Sequence, residues 1–284
     1  WTWKNNNWKC TKVLWYKIMG NFEFKKKFGQ NFLTDKNLLE TIVQKAGVSS
    51  DDVVLEIGAG KGALTEALSA NAKRVVSFEI DKELQEFLHE KFDGTNVQMV
   101  FADVMKMSDE EIKKLVGEKF KLVANLPYYI TSPIITRFLK NEDMISCTVM
   151  VQEEVADRII ANPKTKDYGV LSVICGCFGT PEKVLRVNRK MFFPVPNVDS
   201  AVVKITRKDD GKIFSEKFFD FVKKAFSMRR KKLSTNLESS SHSKAEIEEI
   251  LKNNGFSESV RAEELSIQQF EDLFLTLSDT KLNN

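Results

Sequence analysis

Val53-Val54-Leu55-Glu56-Ile57-Gly58-Ala59-Gly60-Lys61-Gly62 runs from a short apolar stretch straight into closely spaced glycines. Val53-Val54-Leu55 reads as a buried strand, and Ala63 to Ala70, beyond the glycines, as a helix. Glycines between the two let the backbone turn tightly and approach a nucleotide cofactor. Many nucleotide-binding folds share this arrangement, and a plain strand-to-helix turn needs no ligand. NAD sites more often carry G-x-G-x-x-G, whereas here the third glycine, Gly62, comes one residue early.

Outward from this turn the chain alternates helical and strand patterns. Upstream, Asp35 is a helix cap, Leu38, Leu39, Ile42, Val43 and Ala46 recur at helical spacing, and Gly47 ends the run. Downstream, Arg74 to Ile80, Val97 to Phe101, Lys121 to Ala124 and Cys147 to Val151 read as further strands, with a helix from Asp81 to Phe92. Short apolar strands separated by amphipathic helices predict an α/β fold, a parallel sheet covered on both faces. Val184 to Val187 and Ala201 to Ile205 flank a proline-bearing loop and add an expected antiparallel pair.

After Lys208-Asp209-Asp210-Gly211 the pattern becomes helical only. Phe214, Phe218, Val222, Ala225 and Phe226 form one apolar stripe, Ile247, Ile250 and Leu251 a second, and Ile267, Phe270, Phe274 and Leu277 a third. The expected organisation is therefore an α/β domain over residues 19–208 and a small C-terminal all-α domain over 209–284. Residues 1–18 differ from both: they hold all four tryptophans and several lysines but no acid. They read as a non-native or disordered extension before a natural start at Met19, the alternative being an aromatic and basic arm for RNA.

Composition narrows the chemistry. The 284 residues are 42% hydrophobic and 29% charged, as in ordinary globular proteins, and no apolar stretch is long enough to span a bilayer. The 43 basic and 40 acidic residues nearly cancel, so any nucleic-acid surface must come from local clusters. Cys10, Cys147, Cys175 and Cys177 make no C-x-x-C pair, and with only His89 and His242 beside them no metal site is expected. The cysteines read as reduced core residues, and two scattered histidines argue against histidine-based nucleophilic catalysis.

Three more strand ends carry polar candidates. Glu79 closes the strand in Ser77-Phe78-Glu79-Ile80-Asp81, 21 residues after Gly58. A carboxylate there can accept both ribose hydroxyls of a nucleoside, as in NAD and S-adenosylmethionine sites; a solvated strand-end acid is the plain alternative. Asp103, in Phe101-Ala102-Asp103, can accept from an adenine amino group. Asn125-Leu126-Pro127-Tyr128 then points to chemistry on adenine. The exocyclic amine is a poor nucleophile because its lone pair is delocalised into the ring. The Asn125 amide oxygen and the Leu126 carbonyl would accept its two hydrogens and favour a pyramidal nitrogen. Pro127 fixes the turn, and Tyr128 offers a face to an extruded base. A sulfonium methyl is already activated, so alignment and desolvation suffice without a strong base.

Asn125-Leu126-Pro127-Tyr128 followed by Ile130-Thr131-Ser132-Pro133 resembles the signature of the KsgA-type rRNA adenine dimethyltransferases. The resemblance runs from Phe28 to about Phe270. It includes Phe28 to Leu33, Gln152 to Arg158, Tyr168 to Ser172, Phe192 to Ser200, Ala225 to Leu237 and Arg261 to Ser266. It implies a Rossmann-like class I methyltransferase sheet with a small helical domain. S-adenosyl-L-methionine would meet Asn31, Leu33, the loop at Gly58 and Gly60, Glu79, Asp103 and Asn125. The target adenine would lie between Tyr128 and Phe192, beside Leu126 and Pro127. The implied substrate is a pair of adjacent adenosines in a 3′-terminal hairpin loop of small-subunit (16S) rRNA. The implied setting is the assembling 30S subunit in the cytoplasm, with a monomeric enzyme that also serves subunit biogenesis.

Two basic clusters, Lys25-Lys26-Lys27 and Lys223, Lys224, Arg229, Arg230, Lys231 and Lys232, are marked out; solvated faces are the plain alternative, and RNA-phosphate contact is the reading preferred, above all for Arg229 to Lys232. Two rival functions remain. One is a macrolide-resistance-type methyltransferase of large-subunit rRNA, which the Phe192 to Ser200 segment disfavours. The other is a non-catalytic nucleic-acid-binding factor on the same scaffold, which the intact Asn125 to Tyr128 disfavours.

Overall fold

The computed structural model describes residues 32–33, 35–208, 212, 214–239 and 241–279. Residues 1–18, Lys25, Lys26, Lys27 and Asn31 lie outside them. A two-residue strand, β1 (Phe32–Leu33), leads to helix α1 (Lys36–Ala46). The Asp35 carboxylate accepts from the Leu38 N–H at 2.9 Å, and Gly47 closes the helix in the left-handed region, φ 69°, as the sequence predicts. There follow β2 (Val53–Ile57), α2 (Ala63–Ser69), β3 (Arg74–Glu79), α3 (Gln85–Phe92), β4 (Val97–Phe101), α4 (Asp109–Val116), β5 (Phe120–Asn125), α5 (Thr131–Leu139) and β6 (Met144–Gln152). The helix expected from Asp81 begins instead as a 3-10 turn, Lys82–Leu84. Asp81 caps that turn by accepting from the Glu83 N–H, and α3 starts only at Gln85.

Strands β2 to β6 are mutually parallel in the order β4-β3-β2-β5-β6. The chain builds outward from β2 to β4 and then returns to the other side of β2 for β5. That reversal opens a crevice at the carboxyl ends of β2 and β5, where open α/β sheets bind ligands.

Beyond β6 come α6 (Glu153–Ile160), α7 (Val170–Phe178), β7 (Gly179–Val187), β8 (Phe192–Phe193) and β9 (Ser200–Arg207). The expected antiparallel pair is present as β7 and β9, with β9 inserted between β6 and β7. Strand β8 pairs antiparallel with β1, setting Phe192 opposite Leu33.

Helices cover both faces of the sheet. On one face α1 and α2 bury Leu39, Ile42, Val43, Leu64 and Leu68 against Val54, Val75, Val123 and Met150. On the other, α5 and α7 share a core with α8 (Glu216–Ala225), α9 (Leu233–Leu237), α10 (Lys244–Asn253) and α11 (Ile267–Asp279). The three stripes expected after residue 208 lie in that core, and their rings interlock: Phe214 tilts against Phe218 at 5.0 Å and Phe218 meets Phe274 edge-on at 5.5 Å. The Tyr168 hydroxyl, from the Tyr168 to Ser172 motif, donates to the Leu265 carbonyl at 2.9 Å and ties α7 to the terminal helices. Among the described residues, Cys147, Cys175 and Cys177 are free and buried, and no helix is long and apolar enough to cross a membrane.

Candidate active site

The glycine loop and the Asn125 to Tyr128 turn meet at the crevice. Gly58 adopts φ 83°, Gly60 φ 55° and Gly62 φ 73°, a run of left-handed conformations that side chains disfavour. A Cβ on Gly58 would lie 3.7 Å from the Asn125 carbonyl oxygen and 3.8 Å from the Pro127 ring, so two motifs 67 residues apart abut. Gly62 serves packing instead, because a Cβ there would fall 2.6 Å from the Phe92 ring.

Glu79 ends β3 one strand away and is 6% exposed. Its Oε2 accepts from the Gly60 N–H at 2.7 Å, and its Oε1 from the Ile80 and Asp81 N–H groups at 2.9 Å each. Burial pushes its carboxyl upward, against those three bonds. A carboxylate has about four acceptor positions, so the three bonds leave roughly one beside the loop. Asp103 follows β4, where its carboxylate caps a 3-10 turn by accepting from the Met105 N–H at 3.1 Å. Gly58, Glu79, Asp103 and Asn125 thus stand at the ends of four neighbouring strands. At about 4.8 Å per strand the row spans roughly 14 Å, the scale of a nucleoside carrying an amino-acid tail. The residues fit S-adenosylmethionine: glycines where a backbone must approach the ligand, a buried carboxylate at Glu79 for the ribose, and the half-buried acceptors Asp103 and Asn125 for amino groups.

Asn125 ends β5 partly buried, and Leu126, 1% exposed, donates its N–H to the Met150 carbonyl at 3.3 Å. The Pro127 carbonyl accepts from the Ile130 N–H and the Thr131 hydroxyl, which closes a short 3-10 turn (Tyr128–Ile130). The turn leaves Tyr128 half-buried, with its hydroxyl 2.8 Å from the Ser200 Oγ. Tyr129 beside it is 57% exposed, and burial with the nearby Asp103 and Glu79 carboxylates pushes its phenol upward.

Leu33 and Phe192 occupy the two-stranded β1–β8 unit, where both are buried at 5% and 3% exposure. Phe192, which the resemblance sets beside the target adenine, packs within the core cluster that holds Leu33, Val187 and Val202, and alternation along β8 turns it inward and leaves Phe193 52% exposed. The loop bearing these residues is fastened at its far end. The Asp199 carboxylate accepts from the Arg189 N–H at 3.0 Å, its carbonyl accepts from the Glu153 N–H, and Arg186 pairs with Glu153.

Glu56 lies in β2, where no motif marks it as more than a strand residue. It is 1% exposed, and the Thr65 and Ser77 hydroxyls both donate to its Oε2 at 2.6 Å, while Oε1 has no partner. Burial pushes this carboxyl up to about 7. Between the ordinary carboxylate value and about 7 the folded chain therefore holds a proton that the unfolded chain has released. The associated stability is full below the ordinary value and is lost as pH rises through about 7, on the order of 3 kcal/mol in all. Glu79, also raised, acts with the same sign. The melting temperature is expected to fall from pH 5 to pH 8, and Glu56→Gln to flatten that fall. An unchanged pH slope in the glutamine variant would remove Glu56 as its source.

Arg229, Arg230, Lys231 and Lys232 are exposed on the loop between α8 and α9. Arg229 pairs with Glu263 at 3.0 Å and also reaches the Lys166 carbonyl. Arg230, Lys231 and Lys232 have no ion-pair partner among the described residues.

This sheet order, with its ligand edge at the β2–β5 reversal, is that of the Rossmann-like S-adenosylmethionine-dependent methyltransferases. Residues 21–279 match the ribosomal RNA adenine dimethylase family. "Ribosomal RNA small subunit methyltransferase A" of Caldanaerobacter subterraneus subsp. tengcongensis is 46% identical over 259 residues, covering 88% of this chain and 95% of that protein. Among solved structures, a dimethyladenosine transferase from Plasmodium falciparum superposes with a TM-score of 0.76 at 25% identity, covering 88% of this chain and 98% of that one. The 23S rRNA methyltransferase ErmE gives a TM-score of 0.66 at 29% identity over 87% of this chain and 100% of that one. The chain belongs to the ribosomal RNA adenine dimethylase family, as an S-adenosylmethionine-dependent enzyme that methylates adenine in rRNA.

Proposed function

We propose that the enzyme dimethylates N6 of two adjacent adenosines in a 3′-terminal hairpin loop of small-subunit rRNA. It acts as a monomer on assembling 30S subunits in the cytoplasm. The approach of Gly58 to Asn125 and Pro127 carries this reading, because it brings the cofactor loop and the amine-binding turn to one point. The small-subunit choice draws support from the 46%-identical relative, whose name specifies that subunit, against 29% for the large-subunit enzyme ErmE. The test offers labelled cofactor with unmethylated small or large subunits and maps the modified nucleotides. Label confined to the large subunit would overturn the reading.

In this mechanism Glu79 would hold a ribose hydroxyl at the acceptor position its three backbone bonds leave, Asp103 the cofactor's adenine amino group, and the backbone at Gly58 and Gly60 the amino-acid end, with Asn31 and Leu33 closing the site. Bound S-adenosylmethionine supplies an activated methyl. Asn125 and the Leu126 carbonyl accept the two hydrogens of the target amine and aim its lone pair. Pro127 fixes that turn, and Tyr128 stacks on the extruded base with Phe192 beside it. Exclusion of water by the buried walls strengthens each of these polar contacts.

The helices after residue 208 form the RNA-contacting part, with Lys25, Lys26 and Lys27 as a second phosphate patch. Neutralising Arg230 and Lys231 together is expected to weaken binding of unmethylated subunits and to reduce the log–log salt slope by about one to two. Cofactor affinity is expected to stay constant, because none of the residues assigned to the cofactor lies on that loop. An unchanged slope across several salt concentrations would count against phosphate contact there.

A further inference from the structure

We propose that Ser200 is a positioning residue for methyl transfer, holding the Tyr128 ring at the angle from which it receives the base. The inference rests on the reading of Tyr128 as a stacking face. Ser200 opens β9 and is fully buried, with its backbone paired between Gln152 of β6 and Val187 of β7. Its Cβ is therefore a fixed point of the sheet, and burial confines the turning of the Oγ. Tyr128, by contrast, stands on a three-residue 3-10 turn, a short element that constrains a side chain little on its own. The hydroxyl–hydroxyl bond of 2.8 Å reaches the far end of the ring. Anchoring an aromatic side chain at its tip fixes the direction of the ring axis, which χ1 would otherwise leave among staggered wells.

The same joint also fastens a neighbouring loop: Asp199, the preceding residue, holds the loop that bears Phe192 through the Arg189 and Glu153 backbone N–H groups. Ser200 thus sets Tyr128 relative to that loop. The Ser200 hydroxyl makes its hydrogen bond to Tyr128 and to no other described side chain. Its deletion removes the anchor while leaving the strand pairing, which runs through the backbone.

The test is a double-mutant cycle of Ser200→Ala and Tyr128→Phe, read as the single-turnover methylation rate at saturating cofactor and RNA. Each change is expected to slow the reaction roughly tenfold, and the double variant to be no slower than either single one, because both delete one bond. Cofactor affinity stays at the parental value. Additive losses, or a parental rate in Ser200→Ala, would overturn the inference. So would a lowered melting temperature with a parental rate per folded molecule. Should Ser200→Ala not fold, Tyr128→Phe alone decides: it keeps the ring, and a parental rate overturns the proposal. Tyr128→Ala separates the two layers. A parental rate there defeats the stacking reading itself, whereas a slow Tyr128→Ala beside parental hydroxyl deletions defeats only the role of Ser200.

Discussion

Asn125→Ala is expected to lower the single-turnover methylation rate by roughly 10²–10³-fold, with RNA affinity changed no more than about twofold. The asymmetry follows from when the Asn125 amide oxygen matters. In the ground state the target amine is neutral, and water serves its hydrogens nearly as well. As the methyl arrives the nitrogen acquires positive charge, and a fixed acceptor in a water-poor crevice becomes worth far more. Asn125 is well placed for this, at the end of a central strand with its backbone against Gly58. The measurement uses saturating S-adenosylmethionine, so that any cofactor contact of the same side chain drops out. A near-parental rate would sink the amine-positioning mechanism. A loss confined to RNA binding would make Asn125 a docking residue instead.

The parts legible in the sequence are those governed by neighbours along the chain. The cap at Asp35, the stop at Gly47, the strand-to-glycine turn at Val53 to Gly62 and the acids at strand ends all obey short spacing rules. Another local signal is the reciprocal capping box of Ser108 and Glu111 at the start of α4, a signature visible at i, i+3. Val170 to Phe178 is a helix with Ser172 through Phe178 all buried, and a nine-residue apolar run of this kind carries no periodicity that separates a buried helix from a buried strand. The nonlocal features had no such rule. Nothing in the spacing states that β9 inserts between β6 and β7, or that Ser200 meets Tyr128 across 72 residues. Glu56 was hidden for a related reason: its partners Thr65 and Ser77 sit 9 and 21 residues away on two other elements. The strand-end positions of Gly58, Glu79, Asp103 and Asn125 are legible through motifs, and the bonds that support them are not.

Phe192→Ala is expected to destabilise the fold by about 3–5 kcal/mol, the usual cost of truncating a buried phenylalanine. The ring is 3% exposed, opposite Leu33 on β8, in the cluster with Val187 and Val202. Lost methylation in this variant therefore says nothing about the base until stability is matched. Phe192→Leu supplies the match, because an aliphatic side chain of similar bulk refills most of the space and brings the melting temperature back toward the parental value. It does not restore an aromatic face. Stacking on such a face is worth roughly 1–3 kcal/mol per base, so RNA-dependent methylation in Phe192→Leu is expected to remain at least about fivefold down, with cofactor affinity unchanged. This requires the buried ring to present an edge or face once the base enters the crevice, a movement that the two-residue pairing of β8 with β1 opposes only weakly. Parental methylation in a stable Phe192→Leu would make Phe192 a core residue and leave base recognition to Tyr128 and the acceptors at Asn125 and Leu126.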